Sequence, residues 1–98
     1  MSMWIIQTTE PDNDPLTFRL SSGAIKTIGR APAADFPLDR ALVSRLHCRV
    51  TAGDDALEVV DLSSTNGTFV NGKRVKRANI ASGDRLRVGR VELSVEKA

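Results

Sequence analysis

The sequence has little of what metalloenzymes and disulfide-linked proteins depend on. Its 98 residues include one cysteine, one histidine and no tyrosine. The lone Cys48 excludes an intrachain disulfide and favours a reducing compartment, and one cysteine with one histidine are too few ligands for a structural zinc site. No apolar run approaches the roughly 20 residues of a membrane span, and the first residues lack the basic stretch of a secretory signal. These absences predict a cytoplasmic protein without metal, cofactor or membrane partner.

A large excess of one charge is also absent. Fourteen basic residues face 12 acidic ones, which gives a net charge of +2, and only four residues are aromatic. The one basic run, Lys73–Arg77, contains no aromatic side chain on which bases would stack, so we expect no nucleic-acid partner. We interpret the run as the solvated edge of a hairpin, with electrostatic steering of an acidic peptide as the alternative.

Apolar and polar side chains alternate along most of the chain, and no segment has the apolar stripe of a helix. Such alternation is typical of strands with one buried and one solvated face. The alternating sets are Trp4–Ile6–Thr8, Leu16–Phe18–Leu20, Cys48–Val50, Leu57–Val59, Leu86–Val88 and Val91–Leu93–Val95. Asn71-Gly72 and Gly89-Arg90 each predict a tight hairpin turn. Short strands separated by frequent turns predict an antiparallel sandwich or barrel, and the length predicts one domain over residues 1–98.

Three predicted loops concentrate groups that are able to bind phosphate. Arg30 and Arg45 carry guanidinium groups, Ser44 and Thr65 carry hydroxyls, and Asn66 carries an amide. A phosphorylated hydroxyl has about −1.5 to −2 charges and three acceptor oxygens, which such groups satisfy together. Judged by residue type alone, the two arginines are equally consistent with solvated surface residues, and the two hydroxyls with local caps of turns.

The order and spacing of these residues resemble a known signature. Gly29-Arg30, then Ser44-Arg45-Leu46-His47, then residues 61–72 (DLSSTNGTFVNG) resemble the motifs of forkhead-associated (FHA) domains, and Ser82-Gly83-Asp84 matches the family's late Gly-Asp turn. The resemblance covers nearly the whole chain. It implies an all-β sandwich of about 11 mainly antiparallel strands with binding loops at one apex.

The resemblance also implies a function. FHA domains bind phosphothreonine peptides in serine/threonine kinase signalling. Arg30, Ser44, Arg45 and Thr65 match the family's phosphate contacts, and Asn66 matches the residue that binds the peptide main chain. The structural positions of the motif are Gly29, His47, Gly67, Asn71 and Gly72, and His47 matches a histidine that braces the loops. The expected partner is therefore a protein phosphorylated on threonine by a serine/threonine kinase.

Leu42 stands two residues before Ser44, where the family often contacts the third residue after the phosphothreonine. Because Leu42 is apolar, we expect an apolar residue to be preferred there over aspartate. A phospho-independent interaction or oligomerisation module of the same fold is the alternative function. We expect no enzyme and no catalytic residues, because nothing orients His47 towards Ser44 and no Gly-x-Ser-x-Gly elbow is present. The alanine- and arginine-rich composition points to a bacterial source.

Overall fold

A computed structural model of the protein describes residues 2–98, which form eleven strands and no helix, and hence no helix able to cross a membrane. The strands are β1 Met3–Thr8, β2 Thr17–Ser21, β3 Ile25–Gly29, β4 Phe36–Pro37, β5 Cys48–Ala52, β6 Leu57–Asp61, β7 Thr68–Val70, β8 Lys73–Val75, β9 Arg77–Ile80, β10 Arg85–Val88 and β11 Val91–Lys97. They build a six-stranded sheet in the order β2-β1-β11-β10-β7-β8 and a five-stranded sheet in the order β4-β3-β5-β6-β9. The predicted all-β sandwich of mainly antiparallel strands is confirmed.

The strand pairs are antiparallel with one exception. The two-residue strand β4 runs parallel to β3, with Ile28 opposite Phe36. Alternation does not reveal a strand this short, because period 2 needs several residues to be recognised.

The alternating apolar residues of both sheets form one core. Trp4 and Ile6 of one sheet and Val50 and Val59 of the other are fully buried within a single cluster. The indole N–H of Trp4 donates to the Gly53 carbonyl at 2.8 Å, so the largest core side chain leaves no polar atom unpaired. The two sheets are therefore held together by the faces that the sequence pattern predicts to be buried.

The predicted turns also lie where the chain reverses direction. Asn71 and Gly72 have φ angles of 50° and 84°, as a type I′ turn requires, and they join β7 to β8. Gly89 and Arg90 join β10 to β11. The basic run 73–77 lies on β8 and β9, the edge strands of the two sheets, as expected for charged edges that resist further strand pairing.

Candidate functional site

Arg30 leaves the end of β3 against the loop between β4 and β5. Its backbone N–H donates to the Ser44 carbonyl at 2.9 Å, and the Ala31 N–H donates to the Arg45 carbonyl at 3.1 Å. Gly29 makes this approach possible, because a Cβ atom there would lie 2.1 Å from the Arg45 carbonyl oxygen. The side chain of Arg30 is exposed and its Nε donates to the Val43 carbonyl at 3.1 Å, which directs the guanidinium along the loop.

The chain takes an unusual conformation at Leu42. This residue has a φ angle of 73°, a left-handed conformation that is costly for a side chain larger than glycine. Its carbonyl accepts a 3.0 Å hydrogen bond from Nδ2 of Asn66. At Gly89 an added Cβ would lie 2.5 Å from the same carbonyl oxygen. The backbone strain at Leu42 is therefore held between the β6–β7 loop and the β10–β11 turn.

His47 connects two of the site loops from beneath and is fully buried. Its Nδ1 is 3.0 Å from the Ser44 backbone nitrogen, and its Nε2 is 2.7 Å from the Gly67 carbonyl oxygen. Because a backbone N–H can only donate, Nδ1 accepts and the proton is on Nε2. Burial lowers the pKa of His47, so the neutral tautomer that links both loops is the favoured form.

Asp61 organises the loop that carries Thr65 and Asn66. The Asp61 carboxylate accepts hydrogen bonds from the Ser64 hydroxyl, the Ser64 backbone N–H and the Thr68 hydroxyl, and the Ser64 hydroxyl accepts from the Gly67 N–H. Burial by itself raises the pKa of Asp61, but the hydrogen bonds from Ser64 and Thr68 outweigh it and the pKa lies below its ordinary value. This carboxylate is therefore charged, and it closes the loop from the inside.

These loops line an open groove at one end of the sandwich. We call this groove the apical groove. Its lining includes Arg30, Asp39, Leu42, Ser44, Thr65 and Asn66. Most of the predicted phosphate and peptide contacts are thus brought together. The Thr65 N–H donates to the Ser44 hydroxyl oxygen at 3.1 Å, which leaves that hydroxyl's own hydrogen free to donate.

Arg45 is the predicted phosphate contact that does not line the apical groove. Its carbonyl is bound by Ala31, and its side chain is exposed. It lies next to Ser44 in the chain but outside the lining of the groove.

The structure also adds residues that sequence reasoning left out. Asp39, an acidic residue, is among the residues that line the apical groove. Gly89 lies against Leu42, and although its turn was predicted, its place beside the site was not. Asp61 belongs to the FHA-like motif of residues 61–72. Its acidic side chain, followed closely by hydroxyl residues, is the sequence feature that could have predicted its role in closing the loop.

Arg40 is engaged in an ion pair and is not among the residues that line the apical groove. Its Nη2 lies 2.7 Å from Oε1 of Glu10, and its Nε is within 3.0 Å of both Glu10 carboxylate oxygens. The hydrogen bonds from Arg40 lower the pKa of Glu10. Glu10 therefore already neutralises this arginine, although Arg40 lies two residues before Leu42.

The fold and the apical loops define the class of protein. The sequence profile of the FHA domain matches residues 26–89, and the chain belongs to the FHA domain family, which confirms the resemblance. The glycogen accumulation regulator GarA of Mycobacterium tuberculosis is 40% identical over 70 residues, which are 71% of this chain and 43% of GarA. The chain thus spans less than half the length of that relative.

Solved structures agree with the fold. The FHA domain of CT664 from Chlamydia trachomatis has a TM-score of 0.90 at 24% identity, covers 96% of each chain and shows the shared fold. A structure solved for the structural and functional analysis of phosphothreonine-dependent FHA domain interactions has a TM-score of 0.84 at 33% identity and covers 98% of this chain and 96% of its own.

Proposed function

We propose that this FHA domain is a non-enzymatic module that binds phosphothreonine peptides in its apical groove. Arg30, Ser44 and Thr65 hold the phosphate from the lining of the groove, Arg45 reaches it from its exposed position next to Ser44, and Asn66 holds the peptide main chain. The observation that carries the proposal is the convergence of Arg30, Ser44, Thr65 and Asn66 on one open groove. A relative of 33% identity studied for phosphothreonine-dependent interactions supports the same function.

The hydrogen bonds of Arg30 support its proposed role. One of its five guanidinium N–H groups is used on the Val43 carbonyl, which reduces the freedom of the side chain without neutralising its charge. Among residues 2–98 no carboxylate oxygen lies within 4.0 Å of this guanidinium. A positioned and unneutralised guanidinium is suited to a phosphate dianion, because ordering the side chain then costs little on binding.

The hydrogen bond of Asn66 supports main-chain recognition. One amide N–H is used on the Leu42 carbonyl, which leaves one N–H and the carbonyl Oδ1 for a ligand. A peptide unit offers one donor and one acceptor, so the free half of Asn66 matches it in both senses. Pairing of this kind does not depend on the side chains of the partner.

The partner in this proposal is a protein that a serine/threonine kinase has phosphorylated, and the binding unit is a single FHA domain over residues 1–98. One calorimetric transition, with equal calorimetric and van't Hoff enthalpies, is expected for such a unit. Two separate transitions would contradict it.

Titration with matched phosphothreonine, phosphoserine and unphosphorylated peptides tests the function. We expect binding confined to phosphothreonine, and Arg30→Ala to weaken it about 30-fold or more, since loss of a charge-pair partner costs about 2–5 kcal/mol. Arg19→Ala, which removes an exposed arginine from β2, is the matched control and should bind normally. Equal binding of phosphorylated and unphosphorylated peptides would overturn the proposal and favour the phospho-independent module.

A degenerate phosphothreonine peptide library tests the specificity attributed to Leu42. Enrichment of apolar residues at the third position after the phosphothreonine is expected, because the Leu42 side chain is 43% exposed on the wall of the groove. Selection of aspartate there would contradict it.

A further inference from the structure

A second groove adjoins the apical groove on the outer face of the six-stranded sheet. Its lining is Leu42, Asn66, Phe69, Arg87, Gly89 and Arg90, and we call it the arginine groove. Leu42 and Asn66 line both grooves. A peptide that pairs with Asn66 therefore has a continuous path from one groove into the other.

The arginine groove carries positive charge that the protein does not neutralise. No carboxylate oxygen of residues 2–98 lies within 4.0 Å of the guanidinium nitrogens of Arg87 or Arg90. Glu92 is the cross-strand neighbour of Arg87, yet it forms no ion pair with it. Arg40, by contrast, is closely paired to Glu10. The two unpaired guanidinium groups of this groove lie beside the groove that holds the unneutralised Arg30, so their charge adds to that of the apical site.

Phe69 lines the arginine groove and packs against one of its arginines. The guanidinium carbon of Arg87 lies 3.9 Å from the centre of the Phe69 ring, and the Nε of Arg87 is shielded from solvent with no hydrogen-bond partner in the described chain. Stacking on an aromatic ring restricts the guanidinium while its charge is kept. Arg74 lies opposite Phe69 on the next strand, so the row of Arg74, Phe69 and Arg87 crosses three strands.

We propose that the arginine groove binds an acidic segment of the phosphoprotein that follows its phosphothreonine. The inference rests on the proposed function and deepens it, because it gives the partner a chemical class: a phosphothreonine followed by carboxylates. Neighbouring strands are about 4.8 Å apart, so the row spans about 10 Å, which three residues of extended peptide cover. Leu42, at the junction of the grooves, contacts the residue before this acidic segment.

Two peptides with the same phosphothreonine core test the inference. One has glutamate and the other glutamine at the fourth to sixth positions after the phosphothreonine. In low salt the glutamate peptide should bind the unmodified protein about 2- to 30-fold more tightly, as two ion pairs of ordinary surface strength provide. This advantage should shrink as salt is added, since the pairs are exposed.

Arg90 is exposed and its substitution should not affect folding. Arg90→Gln should reduce the preference for glutamate with little effect on the glutamine peptide, and Arg90→Glu should reduce the preference further, because Arg87 keeps its charge. Arg19→Gln and Arg19→Glu make the same charge changes on β2, at the far edge of the same sheet, and should keep it. Equal binding of both peptides to the unmodified protein, or equal effects of the Arg19 and Arg90 variants, would overturn only the arginine groove. If a folded protein bound no phosphothreonine peptide, the proposed function would fail as well.

Discussion

Substitutions of His47 should distinguish the contributions of the two loops that this side chain connects. His47→Asn keeps an acceptor oxygen on Cγ, where Nδ1 accepts from the Ser44 N–H. His47→Gln keeps a donor at the depth of Nε2, which faces the Gly67 carbonyl. His47→Ala removes both. The asparagine variant should therefore retain the Ser44 loop, and the glutamine variant the Gly67 loop.

The magnitudes follow from what each variant leaves unpaired. In the alanine variant the Ser44 N–H loses its acceptor, which costs about 1–3 kcal/mol when buried. The Gly67 carbonyl still accepts from the Gly89 N–H at 3.1 Å, so its loss is smaller. With the cavity left by the imidazole, the alanine variant should lose about 3–5 kcal/mol of unfolding free energy. His47→Asn should recover about 1–2 kcal/mol of this, the net contribution of a hydrogen bond together with the filled volume.

Urea unfolding measures stability, and phosphopeptide titration of the variants that fold measures the site. Both connected loops carry groove residues, Ser44 on one and Thr65 and Asn66 on the other, so His47→Asn and His47→Gln should each bind more weakly than the parent and more tightly than His47→Ala. Kd values equal to that of the parent in all three variants, or an alanine variant as stable as the parent, would refute the bridging role.

The same side chain predicts a pH dependence. Burial lowers the pKa of His47 in the fold, whereas the unfolded chain has the ordinary value of about 6.5. The unfolded state then binds the proton more readily, so the stability is complete above about pH 6.5 and falls as the pH drops towards the folded-state pKa, by at most about 1.4 kcal/mol per pH unit. His47 is the only histidine, and the asparagine variant should lack this decline between about pH 6.5 and 5. A parent protein of constant stability across that range would contradict the lowered pKa of the buried His47.

Three further predictions concern single residues. Gly29→Ala should destabilise the fold by about 1–3 kcal/mol in urea and weaken phosphopeptide binding, because its Cβ would lie 2.1 Å from the Arg45 carbonyl oxygen. Gly72→Ala is the control for a loss of stability alone: its Cβ would have nothing within 4 Å, but its φ of 84° is strained for alanine, so the folded variant should bind the phosphopeptide normally. An unperturbed Gly29→Ala would contradict the close approach. Asp39→Asn should tighten phosphopeptide binding about 2-fold in low salt, by calorimetric titration, because a carboxylate in the groove repels phosphate; a weaker complex would show that Asp39 instead supports the site. Cys48 is fully buried and burial raises its pKa to about 12, so a thiol reagent should modify it only after unfolding, and rapid labelling of the native protein would contradict its core position.

Local pattern was enough for the strands and their turns. Trp4, Ile6 and Thr8 are all buried on one face of β1, because alternation reflects the pleat of a single strand and its contact with water. The turn at Asn71-Gly72 could be predicted for a similar reason, since a two-residue turn depends on the φ angles that its own residues tolerate.

The motif located the site loops but not their arrangement. Arg30, Ser44, Thr65 and Asn66 do meet in the apical groove, whereas Arg45, from the same motif, lies outside its lining. Which loop side chains line the groove depends on contacts between loops, and residue identity and spacing do not specify those contacts.

The sequence by itself therefore determined the all-β class, the buried faces, the hairpin turns and the family. Only the tertiary structure decided that the Arg45 carbonyl packs against Gly29 and that Glu10 neutralises Arg40 across 30 residues of chain. It also decided that the unpaired Arg87 and Arg90 lie in a groove that adjoins the apical groove. The physical reason is the range of the interactions. Strand faces and turns follow from neighbouring residues, whereas these contacts exist only after distant loops have been closed on one another, at an entropic cost that no local pattern records.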